Sequence, residues 1–312
     1  MDEPQRFAAI DAGSNGLKLA TAYRREDGTL GGLRYSRRAV RLGTDAFRHG
    51  HFLGDTIIEA GRAFAGFRKR LDALGIEHVH AVATAATRIA TNHEDLIAKI
   101  EETSGIHLEV ITPEQEAEYV LRSVRVDTEL VGRSALLVDM GSGSVEISAL
   151  EDDTALACKA LPLGPVRILE ELRSANLSEL DAVRTIEQYH GEVRALIESA
   201  IGQTTPAVCL AVGGNVKRMG KLARRVLARS PSRLSREDLQ MLTERVQAVS
   251  LEERVRSLGM RRDRADIIVI ALLVMSWIVA ESGVQRVVVS RGGLRMGVLL
   301  ELAEKIQRDE LT

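Results

Sequence analysis

The sequence of 312 residues predicts a duplicated α/β fold, in which two similar lobes face each other across a cleft. Segments with strand and helix periodicity alternate along the chain, which is typical of mixed sheets covered by helices. An apolar strand ending in Asp-x-Gly-Ser occurs at Asp11 (DAGSNG) and again at Asp139 (DMGSGS), 128 residues later. Each copy opens a run of hairpin, helices and further strands, so this internal repeat predicts the two lobes.

The elements of the first half follow from periodicity and from turn residues. Helix 113–125 has Pro113 in its first turn and Thr112 as a plausible N-cap. We expect Gly75 to be the C-cap of the first long helix. The predicted strands are 7–12, 17–23, an extended stretch after the Asp27-Gly28 turn, 76–85 and 107–111, and the predicted helices are 55–74, 92–103 and 113–125.

The second half repeats this order after residue 134. Ser178 and Ser235 are credible N-caps, the latter with Asp238 three residues later. The predicted strands are 135–140, 145–150, 155–161, 207–212 and 285–290, and the predicted helices fill 165–202, 235–257, 264–282 and the C-terminal segment. The expected lobes are residues 1–124, joined by a C-terminal helix over 298–312, and residues 125–297.

Composition excludes several classes of protein. The hydrophobic fraction of 45% and charged fraction of 28% are typical of a globular protein. A net charge of −2 and an aromatic content of 3% argue against a nucleic-acid partner, because such partners favour basic fields and stacking platforms. Cys158 and Cys209 lie in apolar, strand-like segments, so we expect buried, reduced thiols in a cytoplasmic protein.

One segment is apolar enough to suggest a membrane helix. It runs from Ile267 to Ala280 and contains 14 residues. About 20 residues are needed to cross a bilayer, so we expect a helix in the protein core and no membrane partner. The N-terminus also lacks the basic and apolar regions of a signal peptide.

The two Asp-x-Gly-Ser loops have the chemistry of phosphate sites. Glycines allow the backbone to approach an anion, and the turn directs N–H groups at its oxygens. A carboxylate at the end of the strand can hold a divalent cation that itself binds phosphate. A single such loop is more often a tight hairpin turn. Two copies with matching carboxylates favour the phosphate interpretation, with the loops clamping a phosphate chain from both sides.

At this point the sequence resembles the exopolyphosphatase / guanosine pentaphosphate phosphohydrolase family, in the short form without the C-terminal helical domain. The resemblance covers essentially the whole chain. It rests on eight ordered segments: IDAGSNGLKL, ATAATRIATN (83–92), EVITPEQEAEYV (109–120), LLVDMGSGSVEI (136–147), LPLGPVRI (161–168), AVGGNVKRMG (211–220), RADIIVIALLVM (264–275) and VVVSRGGLRMGVLLEL (287–302).

The resemblance implies an actin-like ATPase (ribonuclease H-like) fold and assigns roles to residues. Glu116 corresponds to the base that activates the attacking water, with Glu114 and Glu118 as local competitors. Arg88 corresponds to an arginine that binds substrate, for which a guanidinium is well suited. The candidate metal ligands for Mg²⁺ or Mn²⁺ are Asp139, Asp11 and Glu146, although Glu146 could instead face outward from its strand. The candidate phosphate-binding residues are Ser14, Asn15, Gly141, Ser142, Gly143, Ser144, Gly213 and Gly214.

The chain departs from the family pattern at a few positions. The family usually has Ser where Gly16 stands, Arg where Lys18 stands, and Gly where Ser142 stands; Ser-Gly is usual at 112–113. Lysine keeps the charge but loses the bidentate fork of arginine. Ser142 places a Cβ in a loop where a positive φ would be strained. The candidate carboxylates are intact, so we expect retained activity.

The paired Asp-x-Gly-Ser loops and the family resemblance together predict a metal-dependent hydrolase. The resemblance implies that it cuts a terminal phosphoanhydride of inorganic polyphosphate or guanosine pentaphosphate. The alternatives are a catalytically weak regulator that binds polyphosphate or an alarmone, and a phosphotransferase of the same superfamily. A homodimer is left open. Eight basic residues and no acidic residue lie between Lys217 and Arg236. This segment is either a solvated helix face or a guide for a long polyanion.

Overall fold

The structure, a computed structural model, describes residues 5–126, 128 and 133–311. The chain divides into two compact units. The first, here called the first lobe, contains the residues up to Ser123 and the segment from Leu294 onward. The second lobe is Val124–Gly293. The C-terminal helix of the first lobe begins at Leu294, four residues before the expected start.

Strands and helices alternate along both lobes. In chain order the strands are β1 (Arg6–Gly13), β2 (Gly16–Arg24), β3 (Leu30–Arg38), β4 (His78–Ala83), β5 (Leu108–Val110), β6 (Ser134–Met140), β7 (Val145–Glu151), β8 (Thr154–Leu161), β9 (Val208–Val212), β10 (Arg233–Ser235) and β11 (Arg286–Val289). The helices are α1 (Leu42–His49), α2 (Gly54–Asp72), α3 (Ala85–Ile89), α4 (His93–Ser104), α5 (Pro113–Arg125), α6 (Pro165–Ser174), α7 (Ala182–Glu187), α8 (Glu192–Ile201), α9 (Gly214–Leu227), α10 (Arg236–Gln247), α11 (Leu251–Arg256), α12 (Arg262–Ala265), α13 (Ile268–Ser282) and α14 (Leu294–Leu311), with a 3₁₀ turn at Glu179–Asp181.

The five strands of the first-lobe sheet have the same topology as five of the six strands of the second-lobe sheet, which confirms the internal repeat. The first-lobe sheet has the order β3-β2-β1-β4-β5, with β1 antiparallel to β2 and parallel to β4. The second-lobe sheet has the order β8-β7-β6-β9-β11-β10, with β6 antiparallel to β7 and parallel to β9. β1 and β6 therefore occupy equivalent positions, and each ends in one of the two repeated Asp-x-Gly-Ser loops.

Helix α13 is the apolar segment that suggested a membrane span. Residues Arg262–Ser282 are long and apolar enough for one by length and composition alone, but most of the segment is buried. Its side chains are buried on nearly every face and pack against α6, α8 and α10 of the second lobe. The predicted core helix is thus confirmed.

Several details of the sequence prediction were wrong, and α3, α9 and β10 have no counterpart among the predicted elements. Helix α1 was not predicted, and the predicted helix 235–257 is divided because Ser250 caps α11 by accepting a hydrogen bond from the Glu253 amide (3.2 Å). Gly75 is not the C-cap of α2, which is Ala73, although Gly75 does have a positive φ of 61°.

The two cysteines have different environments. Cys209 lies in the central strand β9 and is buried, as predicted, and this burial raises the pKa of its thiol to about 12. Cys158 was expected to be buried but is exposed. It lies on β8, an edge strand whose residues are almost all accessible to solvent. Apolar character alone could not distinguish the edge strand from the central one.

Candidate functional site

The start of α5 places Glu116 in the first lobe. The Thr112 hydroxyl accepts a hydrogen bond from the Gln115 amide (3.2 Å), and the Gln115 side chain accepts one from the Thr112 amide (2.8 Å). This reciprocal capping box fixes the first helical turn, which also contains Pro113. The Glu116 side chain is directed into the protein and the residue is only 5% exposed.

Burial distinguishes Glu116 from its two neighbours. Glu114 and Glu118 are both exposed. Hydrogen bonds at the helix start, including one with Thr112, lower the pKa of Glu114, but this carboxylate is fully solvated. The family resemblance favoured Glu116 among the three glutamates. The fold selects Glu116 as the carboxylate that is held in a defined, protected environment.

Arg88 is the contact partner of Glu116. It lies on α3, directly after β4, and its Nη1 atom donates to the Ile111 carbonyl oxygen (2.8 Å) and to Glu116 Oε2 (3.0 Å). A charge-assisted hydrogen bond of this kind compensates the burial of a carboxylate. The two residues assigned to catalysis by the family resemblance therefore touch each other within the first lobe.

The close packing of α5 against α14 supports this pair. A Cβ on Gly297 would lie 1.8 Å from the Tyr119 carbonyl oxygen, so only glycine permits this approach of the two helices. Burial, followed by a hydrogen bond with the Glu301 carboxylate, raises the pKa of Tyr119 above its usual value. Helix α14 thus holds the turn that follows Glu116.

Ser14 and Asn15 form the turn after β1, and both are buried. The Ser14 carbonyl accepts a hydrogen bond from the Gly43 amide (2.8 Å), and Asn15 Oδ1 accepts one from Arg41 Nε (2.9 Å). Gly16 has φ of +150°, and a Cβ there would lie 2.8 Å from the Arg38 carbonyl oxygen. Glycine is therefore required in this conformation, and this departure from the family pattern is compatible with the loop.

Asp11 is paired with a lysine in the first lobe. Its Oδ2 lies 2.6 Å from Lys18 Nζ, and the two residues are directly opposite in the β1–β2 register. The two-residue turn at Ser14-Asn15 sets this register, so the ion pair could have been predicted from the sequence. Lys18 stands where the family usually has arginine, and here its ammonium group neutralises Asp11.

Asp139 and Glu146 form a carboxylate pair in the second lobe. They are directly opposite each other in the β6–β7 register, and their carboxylate oxygens lie within 4.8 Å. Asp139 is 7% exposed and Glu146 only 2%, which excludes the alternative that Glu146 faces outward. The Ser144 hydroxyl donates a hydrogen bond to Glu146 Oε1. Two buried carboxylates at this spacing are suitable ligands for a hard divalent cation.

Glycine turns bring the backbone close to this pair. Gly213 follows β9 with φ of +109°, and a Cβ there would lie 2.5 Å from the Met140 carbonyl oxygen and 3.2 Å from Asp139 Oδ1. Gly214 then begins α9. Gly141–Ser144 connects β6 to β7 beside them. Ser142 does not have a positive φ, so its backbone is not strained. In the described part of the chain, the non-glycine residues with a positive φ are Asp152, Asn176 and Ala228.

The sequence analysis missed three residues that support the second-lobe site: Gly164, Asn215 and Arg264. A Cβ on Gly164, the residue before α6, would lie 2.2 Å from the Gly143 carbonyl carbon, and the Val166 amide donates to the Ser142 carbonyl (2.9 Å). Asn215 is buried, and its Oδ1 accepts a hydrogen bond from Arg264 Nη1 (3.0 Å). The Gly-Pro pair before α6 was a visible helix-start signal for Gly164. The pairing of Asn215 with Arg264 depends on the fold.

Comparison with known proteins identifies relatives of the chain. The model of the Ppx/GppA phosphatase family matches residues 22–306. A guanosine-5'-triphosphate,3'-diphosphate pyrophosphatase of Vibrio campbellii is 26% identical over 98% of the chain, which spans 61% of that protein. Exopolyphosphatase 2 of Mycobacterium tuberculosis is 27% identical, and the match covers 96% of the chain and 98% of that protein.

Solved structures show the same fold. An exopolyphosphatase from Cytophaga hutchinsonii matches 96% of the chain and 98% of its own, with a TM-score of 0.84 and 25% identity. The Aquifex aeolicus member of the Ppx/GppA family matches 98% of the chain and 99% of its own, with a TM-score of 0.76 and 24% identity. Together with the two equivalent sheets, these matches confirm the predicted duplicated, actin-like α/β fold.

The contact of Gly164 with Gly143 gives a test of how the second-lobe loop is held. We expect Gly164→Ala to lower the free energy of unfolding by about 1–3 kcal/mol, because the added methyl group overlaps the Gly143 backbone. The control is Gly54→Ala, whose Cβ meets no atom within 4 Å. Urea unfolding measures both. A Gly164→Ala protein as stable as the wild type would contradict this packing.

Proposed function

The chain belongs to the Ppx/GppA phosphatase family, and from this premise we propose that it hydrolyses the terminal phosphoanhydride of inorganic polyphosphate or of guanosine pentaphosphate. Relatives named for each activity support both substrates. The match with Exopolyphosphatase 2, which covers 96% of the chain and 98% of that protein, supports polyphosphate as a substrate. The observation that carries the proposal is the ion pair, at 3.0 Å, between the half-buried Arg88 and the buried Glu116 at the capped start of α5.

In the proposed reaction, Glu116 orients a water molecule and accepts its proton. The water oxygen forms a bond to the terminal phosphorus while the bridging P–O bond breaks, releasing orthophosphate and a chain shorter by one unit. Phosphoryl transfer of this type needs positioning and charge neutralisation more than covalent catalysis. Arg88 holds the Glu116 carboxylate at 3.0 Å, and its guanidinium has five N–H donors with which to bind phosphate as well.

We assign the divalent cation, Mg²⁺ or Mn²⁺, to Asp139 and Glu146. Their oxygen donors suit both ions, and the pair is buried beside the turns that contain Gly141 and Gly213. When bound, the cation would neutralise phosphate charge. Asp11 is left out of this set because the Lys18 ammonium group is already 2.6 Å from it.

Backbone donors of the loops complete the proposed set. Gly141, Ser142, Gly143 and Ser144 would direct N–H groups at phosphate oxygens, as would Gly213 and Gly214 at the start of α9. Ser14 and Asn15 play the equivalent part in the first lobe. The Asn15 side-chain oxygen accepts a hydrogen bond from Arg41 Nε (2.9 Å), which fixes the orientation of this side chain.

The role of Glu116 is tested by Glu116→Gln. This change keeps the size of the side chain and its ability to accept a hydrogen bond from Arg88, but removes the proton acceptor. We expect kcat for phosphate release from polyphosphate to fall by about 100-fold or more. The matched control, Glu114→Gln on the exposed face of the same turn, should stay within about twofold of the wild type. Full activity of a folded Glu116→Gln protein would exclude Glu116 as the base.

The metal assignment is tested by direct binding of Mn²⁺, measured by electron paramagnetic resonance. We expect Asp139→Asn to weaken Mn²⁺ binding by about tenfold or more, because one of two carboxylate ligands is lost. The control is Glu151→Gln, at the exposed far end of the same hairpin. If Asp139→Asn and the wild type bind Mn²⁺ with equal affinity, Asp139 is not a ligand and the cation is held by other residues.

A further inference from the structure

The segment Lys217–Arg236 is the basic segment of the second lobe. It contains eight lysine or arginine residues and no acidic one, whereas the whole chain has a net charge of −2. It begins on α9 and ends at the first residue of α10. The first turn of α9 has no acidic residue.

The basic residues of α9 form a stripe on one face of the helix. Lys217, Lys221 and Arg224 follow i, i+4, i+7 spacing and are exposed. Gly214 is exposed at the same spacing, three residues before Lys217. The opposite face is buried through Val216, Met219, Gly220, Leu222 and Ala223. The stripe therefore starts at the glycine turn and extends about 15 Å along the helix axis to Arg224.

Some cations of the basic segment have structural partners. Lys217 Nζ donates to the Arg291 and Gly292 carbonyls (2.8 and 3.0 Å), and Arg225 Nη1 donates to the Leu258 carbonyl (3.1 Å). Arg229 pairs with Asp238 at 3.1 Å. Lys221 and Arg224 have no ion-pair partner among the residues that the structure describes. A cation in the last turn also stabilises a helix, which accounts for Arg224 but not for Lys221.

We propose that Lys221 and Arg224 bind the distal part of a polyphosphate chain whose end lies at the Gly213–Gly214 turn. This inference rests on the proposed function and adds a preference for long chains. Regularly spaced cations on a rigid helix match a linear polyanion with one negative charge per unit, and the exposed stripe leaves room for a chain of any length. A nucleic acid fits less well, because aromatic residues are only 3% of the protein.

The test compares Lys221→Gln/Arg224→Gln with a control that has the same change in charge. The control is Arg62→Gln/Lys69→Gln, which removes two exposed cations from α2 of the first lobe. Affinity for end-labelled long-chain polyphosphate is measured by fluorescence anisotropy, with every protein also carrying Glu116→Gln so that the chain stays intact. Tripolyphosphate, which is too short to extend along the stripe, is the second ligand.

We expect the α9 double variant to bind long-chain polyphosphate about tenfold more weakly, with a smaller dependence of affinity on salt. Its affinity for tripolyphosphate, and both affinities of the α2 control, should stay within about twofold of the wild type. The charge-keeping variant Lys221→Arg/Arg224→Lys should bind like the wild type. Unchanged long-chain affinity in the α9 variant would overturn the proposal, as would tighter binding of single-stranded RNA than of polyphosphate.

The same proteins with Glu116 restored separate this inference from the proposed function. If the wild type binds long chains through α9 but releases no phosphate from any substrate, the proposed hydrolysis is wrong and the proposed binding by Lys221 and Arg224 is supported. If phosphate release by the α9 variant is normal and independent of chain length, the proposed binding by Lys221 and Arg224 is wrong and the proposed hydrolysis is supported. Selective loss of activity on long chains supports both.

Discussion

A carboxylate inside a protein needs a charged or hydrogen-bonding partner, and the first lobe is organised around one such pair, Glu116 with Arg88. Thr112 and Gln115 cap the helix that carries Glu116, and this cap fixes the first turn, which directs the Glu116 carboxylate into the protein. Strand β4 and α3 bring Arg88 to it, and Gly297 lets α14 hold the following turn. Loss of Arg88 would remove the ion-pair partner of this buried carboxylate, which is strongly destabilising.

The second lobe depends instead on close approach of backbones. Gly213 and Gly164 contact Met140 and Gly143 at distances that admit no side chain. These contacts hold the loop between β6 and β7 next to the buried Asp139–Glu146 pair. An anion site made of backbone N–H groups needs such packing, because the donors must point at the ligand before it arrives. The repeat therefore uses equivalent strands in the two lobes for different tasks, a lysine-paired Asp11 in one and a carboxylate pair in the other.

Much of this could be predicted from the sequence, because local signals agreed with the fold. The repeated Asp-x-Gly-Ser loops predicted the duplicated sheets, and Thr112-Pro113 predicted the start of α5. Burial and long-range packing could not be predicted in this way. The family resemblance favoured Glu116 over Glu114 and Glu118, but the burial of Glu116 and its contact with Arg88 at 3.0 Å depend on the fold. Cys158 was placed in the core for the same reason, since edge and central strands share their composition.

The account is tested most directly by phosphate release from the wild-type protein, with long-chain polyphosphate and guanosine pentaphosphate assayed side by side, each with Mg²⁺ and with excess chelator. The proposed chemistry predicts release from polyphosphate, guanosine pentaphosphate or both that requires the cation and stops in chelator. Absence of release from both substrates by a folded protein that still binds them would contradict hydrolysis and favour a regulatory role for the chain.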